Sequence, residues 1–237
     1  MKTQTPPQPR TSLRSRLEKS PVLAGIVARI AGAYLSLCDR TTKWDVQGRD
    51  ALMADLENGP VLLVLWHQRS VMAAIHWPVE AGPLSSLYAA SPIGRVSGAL
   101  QRQRGLHPME MSHKLSNLAA SRKILRRFRE GVSIGMTGDG PLGPDHHMKT
   151  APLEWASRGP MRIWGYGFDT ERKRTLDTWD SMILPRPFGR GRIVFAPFDG
   201  EIYAKPTPDQ TRATQAALAA FLNGLDARLN APYPDRD

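Results

Sequence analysis

Apolar and polar positions along this chain change period repeatedly. Val61-Leu62-Leu63-Val64-Leu65 is an unbroken apolar run introduced by the turn pair Gly59-Pro60, and it predicts a short strand buried on both faces. Ser86–Ala90 is a second, weaker strand candidate; Val132–Met136, Arg162–Phe168 and Arg192–Ala196 are the third, fourth and fifth. Leu115–Glu130 carries helical spacing, with Leu115, Leu118, Ala119, Leu125 and Phe128 expected inward and Gly131 at the C-terminal cap. The last segment opens with Thr207 and Gln210 as a capping-box pair around Pro208, and Leu218, Phe221, Leu222, Leu225 and Leu229 form its apolar stripe. Strands alternating with helices predict an α/β fold with a mixed, largely parallel sheet flanked by helices. The expected organisation is a lead and interfacial helix over 1–44, an α/β domain over 45–200, and a C-terminal packing helix and tail over 201–237.

The N-terminal region has its own pattern. Pro6, Pro7 and Pro9 break the lead, which carries Lys2, Arg10, Arg14, Arg16 and Lys19 against the lone Glu18. Val22–Leu37 then places Val22, Leu23, Ile26, Val27, Ile30, Tyr34 and Leu37 on one helical face, with Gly25, Ala28, Gly32, Ala33 and Ser36 opposite. A spanning helix needs about 20 apolar residues. This run has sixteen and includes Arg29, and no small-residue cleavage site follows at Cys38-Asp39-Arg40. The pattern fits an amphipathic helix lying in a membrane interface better than a span or a cleaved signal; a soluble helix docked on the core is the alternative.

Composition sharpens this. The 237 residues include 32 Lys and Arg against 22 Asp and Glu, a net charge of +10 that favours phosphate-bearing partners. Aromatics are only 7%, and no basic stretch interleaved with aromatics suggests a base-stacking platform, so an anionic membrane is preferred over nucleic acid. The single cysteine, Cys38, excludes an internal disulfide framework and any cysteine-built metal site.

Three segments are candidates for chemistry. Trp66-His67-Gln68-Arg69 follows the first strand, where open α/β sheets gather ligands; His67 suits a general base and Arg69 an anion contact. Thr137-Gly138-Asp139-Gly140-Pro141-Leu142-Gly143-Pro144 follows the third strand as a stiff loop with backbone N–H groups suited to an anion or oxyanion. It lacks the Gly-Lys-Ser/Thr of a nucleotide-binding loop. Trp179-Asp180…Pro185-Arg186-Pro187-Phe188 reads as an ordered loop with Trp179 and Phe188 as core anchors. His146-His147 is adjacent rather than at metal-ligand spacing, and no metal site is expected.

Taken in order, the three motifs resemble those of the lysophospholipid acyltransferase superfamily. Within it they are most similar to a bacterial branch, long filed as a domain of unknown function, that is related to the secondary acyltransferases of lipid A. The matching residues are Trp66, His67 and Arg69; the block Thr137–Pro144, where Thr-Pro-Asp-Gly-Pro-Arg-Gly-Pro is usual; and Trp179, Asp180, Pro185, Pro187 and Phe188. The resemblance spans roughly residues 45 to 200. This chain departs from the pattern at Gly138 and Leu142, at Met109-Glu110-Met111-Ser112 in place of Arg-Gly-Ser, and at Met72, where the wider superfamily places an acid five residues after the histidine.

The resemblance implies a glycerolipid acyltransferase-like fold and acyl transfer from a thioester to a hydroxyl of a phospholipid or lipid A-type acceptor. His67 is then the base, Asp139 the first choice for the acceptor on its second ring nitrogen, and a backbone carbonyl the alternative. Arg69 is expected to hold acceptor phosphate, and the backbone about Gly140, Pro141 and Gly143 to face the oxyanion. The donor is expected to be an acyl-carrier protein or coenzyme A thioester, used as substrate, with no resident cofactor. An anionic membrane lipid is the expected partner, and the cytoplasmic face of the inner membrane the expected location, peripheral or held by the N-terminal helix. The departures leave open a relative that binds lipid without turnover; the charge leaves open a nucleic-acid binder.

Overall fold

The structure, a computed structural model, describes residues 20–111 and 117–233. The basic lead over 1–19 and the side chains expected inward at Leu115 and Leu118 lie outside the described residues. Helix α1 (Pro21–Thr41) is followed by β1 (Lys43–Gln47), α2 (Arg49–Leu56) and β2 (Val61–Leu65). A 3₁₀ turn at His67–Arg69 and the short α3 (Ala73–His76) lead to β3 (Leu84–Ala89), α4 (Pro92–Gln103), β4 (Met109–Met111), α5 (Asn117–Arg129) and β5 (Ser133–Thr137). Then come α6 (Ala151–Arg158), β6 (Arg162–Thr170), the hairpin β7 (Lys173–Thr175) and β8 (Ile183–Pro185), β9 (Arg190–Pro197) and α7 (Pro208–Leu229).

Seven strands form one sheet in the order β1-β9-β6-β2-β5-β3-β4. Every pairing in it is parallel except β6 with β9, so the sheet is mixed and largely parallel, flanked by helices on both faces. β2 shows why its run is unbroken. Val61, Leu63 and Leu65 enter the apolar layer shared with α1, α2 and α4, while Leu62 and Val64 enter the layer under α5, α6 and α7. A strand covered on both faces has no polar side to alternate with.

Several elements differ from the expectation for plain reasons. α1 runs 21 residues rather than sixteen, since Pro21 opens it, Cys38–Thr41 continue it, and Thr42 caps it by donating its backbone N–H to the Cys38 carbonyl. β1 is a mostly exposed edge strand and so carries no apolar alternation. α4 buries Gly94, Gly98, Ala99 and Gln101 beside Leu100, which leaves no large apolar stripe to read. On α5 the fully buried position is Ile124, with Leu125 and Phe128 only partly covered. α7 follows expectation: the Thr207–Gln210 capping box is formed and Leu218, Leu222, Leu225 and Leu229 are buried.

α1 docks through its small face. Ala24, Ala28, Gly32, Leu35 and Cys38 turn inward, and an added Cβ at Gly32 would lie 2.9 Å from Leu100 on α4. Gln103 Nε2 and Arg104 Nη2 donate to the carbonyls of Gly25 and Gly32. The large residues face away: Val22 is 72% exposed, Ile26 51% and Ile30 68%. α1 is the one helix among the described residues that is long and apolar enough to cross a membrane, with a mean hydropathy of 1.6.

Candidate active site

β2 and β5 are adjacent parallel strands, with Leu65 opposite Thr137. The chain leaves β2 towards β3 on one side and leaves β5 towards β6 on the other. Their carboxyl ends therefore bound a crevice of the kind where open α/β sheets bind ligands. Trp66–Arg69 emerges on one side of it and Thr137–Pro144 on the other. Gly138 clamps the two together by donating its N–H to the Leu65 carbonyl at 2.8 Å. A Cβ there would lie 2.8 Å from the terminal methyl of Met148 and 3.3 Å from Trp66, so a larger residue would have to displace the Met148 side chain.

His67 sits in this crevice and its side chain is 26% exposed. Its Nδ1 lies 2.5 Å from Asp180 Oδ2. Asp180 is the acid of the third motif, carried on the loop that closes the β7–β8 hairpin above the sheet edge. Burial alone would raise the Asp180 carboxyl; hydrogen bonds from Thr178 and His67, with the nearby charge of His67, outweigh it and hold the pKa below the usual value. An ionised carboxylate only accepts, so Nδ1 carries a proton, and in the neutral imidazole the lone pair is on Nε2. Among the described residues Nε2 makes no hydrogen bond.

Asp139 does not take the position expected of it. Its Oδ1 accepts the backbone N–H of His67 at 3.0 Å, and its side chain is wholly buried. Burial pushes its pKa up, opposed chiefly by the His67 N–H. Asp139 thus fixes the His67 backbone, while Asp180 meets the ring. Met72, five residues after His67, is packed in the apolar core.

Arg69 also departs from expectation. It is buried and spent on protein partners: Nε donates to Asp226 Oδ1 at 2.6 Å, Nη1 to the Phe168 carbonyl at 2.8 Å and Nη2 to Asn230 Oδ1 at 3.0 Å. Trp66 Nε1 donates to Asn223 Oδ1 at 3.1 Å. Trp66 and Arg69 therefore fasten α7 to the sheet edge and leave His67 to face the crevice.

The glycines of the second motif serve the loop's shape. Gly140 has φ +71° and turns its N–H back to the Thr137 carbonyl at 3.3 Å, so that donor is not directed at an oxyanion. Gly143 has φ +66°, and an added Cβ would lie 2.6 Å from Trp179, which needs the room. Pro141 is exposed at the loop tip beside Leu142. Trp179 stands 5.1 Å from the His67 ring, centroid to centroid, and is partly exposed, as is Phe188; neither is the core anchor the sequence suggested.

Two further histidines are held by protein partners. His146 packs against Trp66 with its ring tilted 45° to the indole, and bridges Asp145 and Asp226. His76 is in the core with Nδ1 2.8 Å from the Tyr166 hydroxyl, and burial lowers its pKa. Among the described residues no three His, Cys, Asp or Glu side chains converge as metal ligands.

An uncharacterized protein of Rickettsia prowazekii (strain Madrid E) is 26% identical over 192 residues, covering 78% of this chain and 85% of that protein. No protein-family model matches the chain.

Proposed function

We propose that this chain is a membrane-associated acyltransferase of the lysophospholipid acyltransferase type, moving a fatty acyl chain from a thioester to a lipid hydroxyl. The observation that carries the reading is the His67–Asp180 contact at the carboxyl ends of β2 and β5. A hydroxyl is a poor nucleophile until a base removes its proton, and His67 Nε2 is the free base at this edge. As the hydroxyl oxygen attacks the thioester carbonyl, its proton passes to Nε2. Asp180 holds the ring in the Nδ1–H tautomer and stabilises the imidazolium. Collapse of the tetrahedral intermediate breaks the C–S bond, and the proton on Nε2 is available to the departing thiolate. Asp180 thereby supplies the acid that the superfamily pattern would place at Met72, where it would be sealed in apolar core without a partner.

The outward apolar face of α1 and the +10 charge suit an enzyme whose acceptor lies in an anionic bilayer. The donor in this reading is an acyl-carrier protein or coenzyme A thioester.

The test is incubation of wild type and His67→Ala with labelled acyl-carrier protein or acyl-coenzyme A and total bacterial lipid. Label entering lipid with wild type alone supports the reading; equal transfer by both proteins removes His67 as base. A second reading, lipid binding without turnover, draws on the withdrawal of Arg69 from any acceptor phosphate. It predicts vesicle binding with no transfer from either donor.

A further inference from the structure

The β7–β8 hairpin connects the candidate active site to α1. Its closed end carries Asp180 over His67. Its open end abuts the last turns of α1: the Pro185 carbonyl accepts the Tyr34 hydroxyl at 2.8 Å, and Phe188 donates its N–H to Thr41 Oγ1 at 3.1 Å. Tyr34 and Leu37 belong to the outward face of α1, so that face continues onto the hairpin.

Phe188 is 64% exposed and has φ +63°. A bulky aromatic in left-handed backbone, turned outward, is unfavourable on both counts for a surface that meets only water. Exposed cations surround it. Arg172 Nη1 donates to the Phe188 carbonyl, the Arg186 N–H donates to the Arg172 carbonyl, and the Lys43 N–H donates to the neighbouring Gly189 carbonyl. Arg40 and Arg174 are exposed on the adjoining α1 and β7. The nearby acids are already engaged: Glu171 with Arg190 at 3.1 Å, and Asp169 with Lys173 at 2.5 Å. Asp177 lies beyond the other end of the hairpin. The corner is therefore an aromatic beside an excess of positive charge, continuous with an apolar helix face.

We propose that this corner is a second bilayer contact: Phe188 enters the apolar layer while Arg40, Lys43, Arg172, Arg174 and Arg186 meet anionic headgroups. The inference rests on α1 being lipid-facing, as in the proposed function. It adds that the bilayer engages the open end of the same hairpin whose closed end delivers Asp180.

The full-length protein is sedimented with phosphatidylcholine vesicles, with and without phosphatidylglycerol. Phe188→Asn suits the left-handed backbone and is expected to keep the wild-type melting temperature while weakening partition to both vesicles about fivefold or more. The triple variant Arg172→Gln/Arg174→Gln/Arg186→Gln is expected to lose on the order of a hundredfold on anionic vesicles, at about fivefold per charge, and little on neutral ones. Folded variants that partition like wild type would overturn the proposal, as would a wild type that binds neither vesicle. A dimer in sedimentation equilibrium that Phe188→Asn dissociates, without vesicle binding, would assign the corner to a second copy instead. Partition needs no turnover, so a chain that docks in this way and never transfers acyl groups contradicts the proposed function while leaving the docking surface intact.

Discussion

α1 and α7 are nearly the same length, 21 and 22 residues, and each starts with a hydroxyl cap and a proline in its first turn. They use their apolar residues in opposite ways. α7 turns Leu218, Leu222, Leu225 and Leu229 onto the sheet, and burial of that area drives its docking. α1 turns mainly small residues inward, docks by close backbone approach and by hydrogen bonds from Gln103 and Arg104, and leaves Val22, Ile26 and Ile30 outside. A helix whose larger apolar residues, Leu35 apart, look away from the core is shaped for two neighbours. Apolar content alone does not say which face is the core.

The comparison can be broken at several points. The largest effect is expected at the anchor of α7. Arg69→Ala leaves Asp226 with only its His146 contact and strips the Phe168 carbonyl and Asn230 of their donor, and should cost about 3–5 kcal/mol in urea unfolding; a loss under 1 kcal/mol would mean α7 is not held as described. Leu222→Ala should cost about 2–5 kcal/mol by the same measurement. Gly32→Val drives a side chain into Leu100 and should cost about 1–3 kcal/mol, marking the small face of α1 as its docking face. Ile26→Ser with Ile30→Ser should change stability by no more than about 0.5 kcal/mol per site while weakening vesicle partition; a large loss of stability would place that face in the core.

The smallest effect is a pH dependence at the edge of α7. His146 is raised above its ordinary value chiefly by its hydrogen bond to Asp226, against burial, with Asp145 adding to the rise. Its stabilisation is then fully present below about pH 6.5 and fades as pH climbs through the folded value. The melting-temperature gap between wild type and His146→Gln should be widest near pH 6 and close towards alkaline pH. A gap that widens instead would reverse the assignment.

How far the sequence speaks for itself varies by element. β2 and α7 were legible because an unbroken apolar run and a capping box are local signals. α4 was hidden because its buried positions are glycine, alanine and glutamine, set by close approach to Tyr88 and the Ala89 carbonyl. His67 was legible from its place at a strand end. Its partner was not, since Asp180 lies 113 residues away and meets it only through the hairpin. Asp139, the first choice for that partner, does come close, but its carboxylate is spent on the His67 backbone. Arg69 read as an anion contact, since arginine is seldom buried and paired within the protein. A signal was present on α7, where Asn223, Asp226 and Asn230 place polar groups beside the leucine stripe, and these are the groups Trp66 and Arg69 reach.

The central claim is that His67 works through Asp180 and is merely placed by Asp139. The direct measurement is the steady-state rate of acyl transfer by Asp180→Asn and Asp139→Asn, with melting temperatures confirming that both are folded. The account predicts that Asp180→Asn lowers kcat by about 10²–10⁴-fold with KM little changed, since a tautomer and a developing charge are lost rather than a binding contact. It predicts that Asp139→Asn, whose amide oxygen still accepts the His67 N–H, keeps kcat within about tenfold of wild type. The reverse order, with Asp139→Asn crippled and Asp180→Asn active, would contradict it.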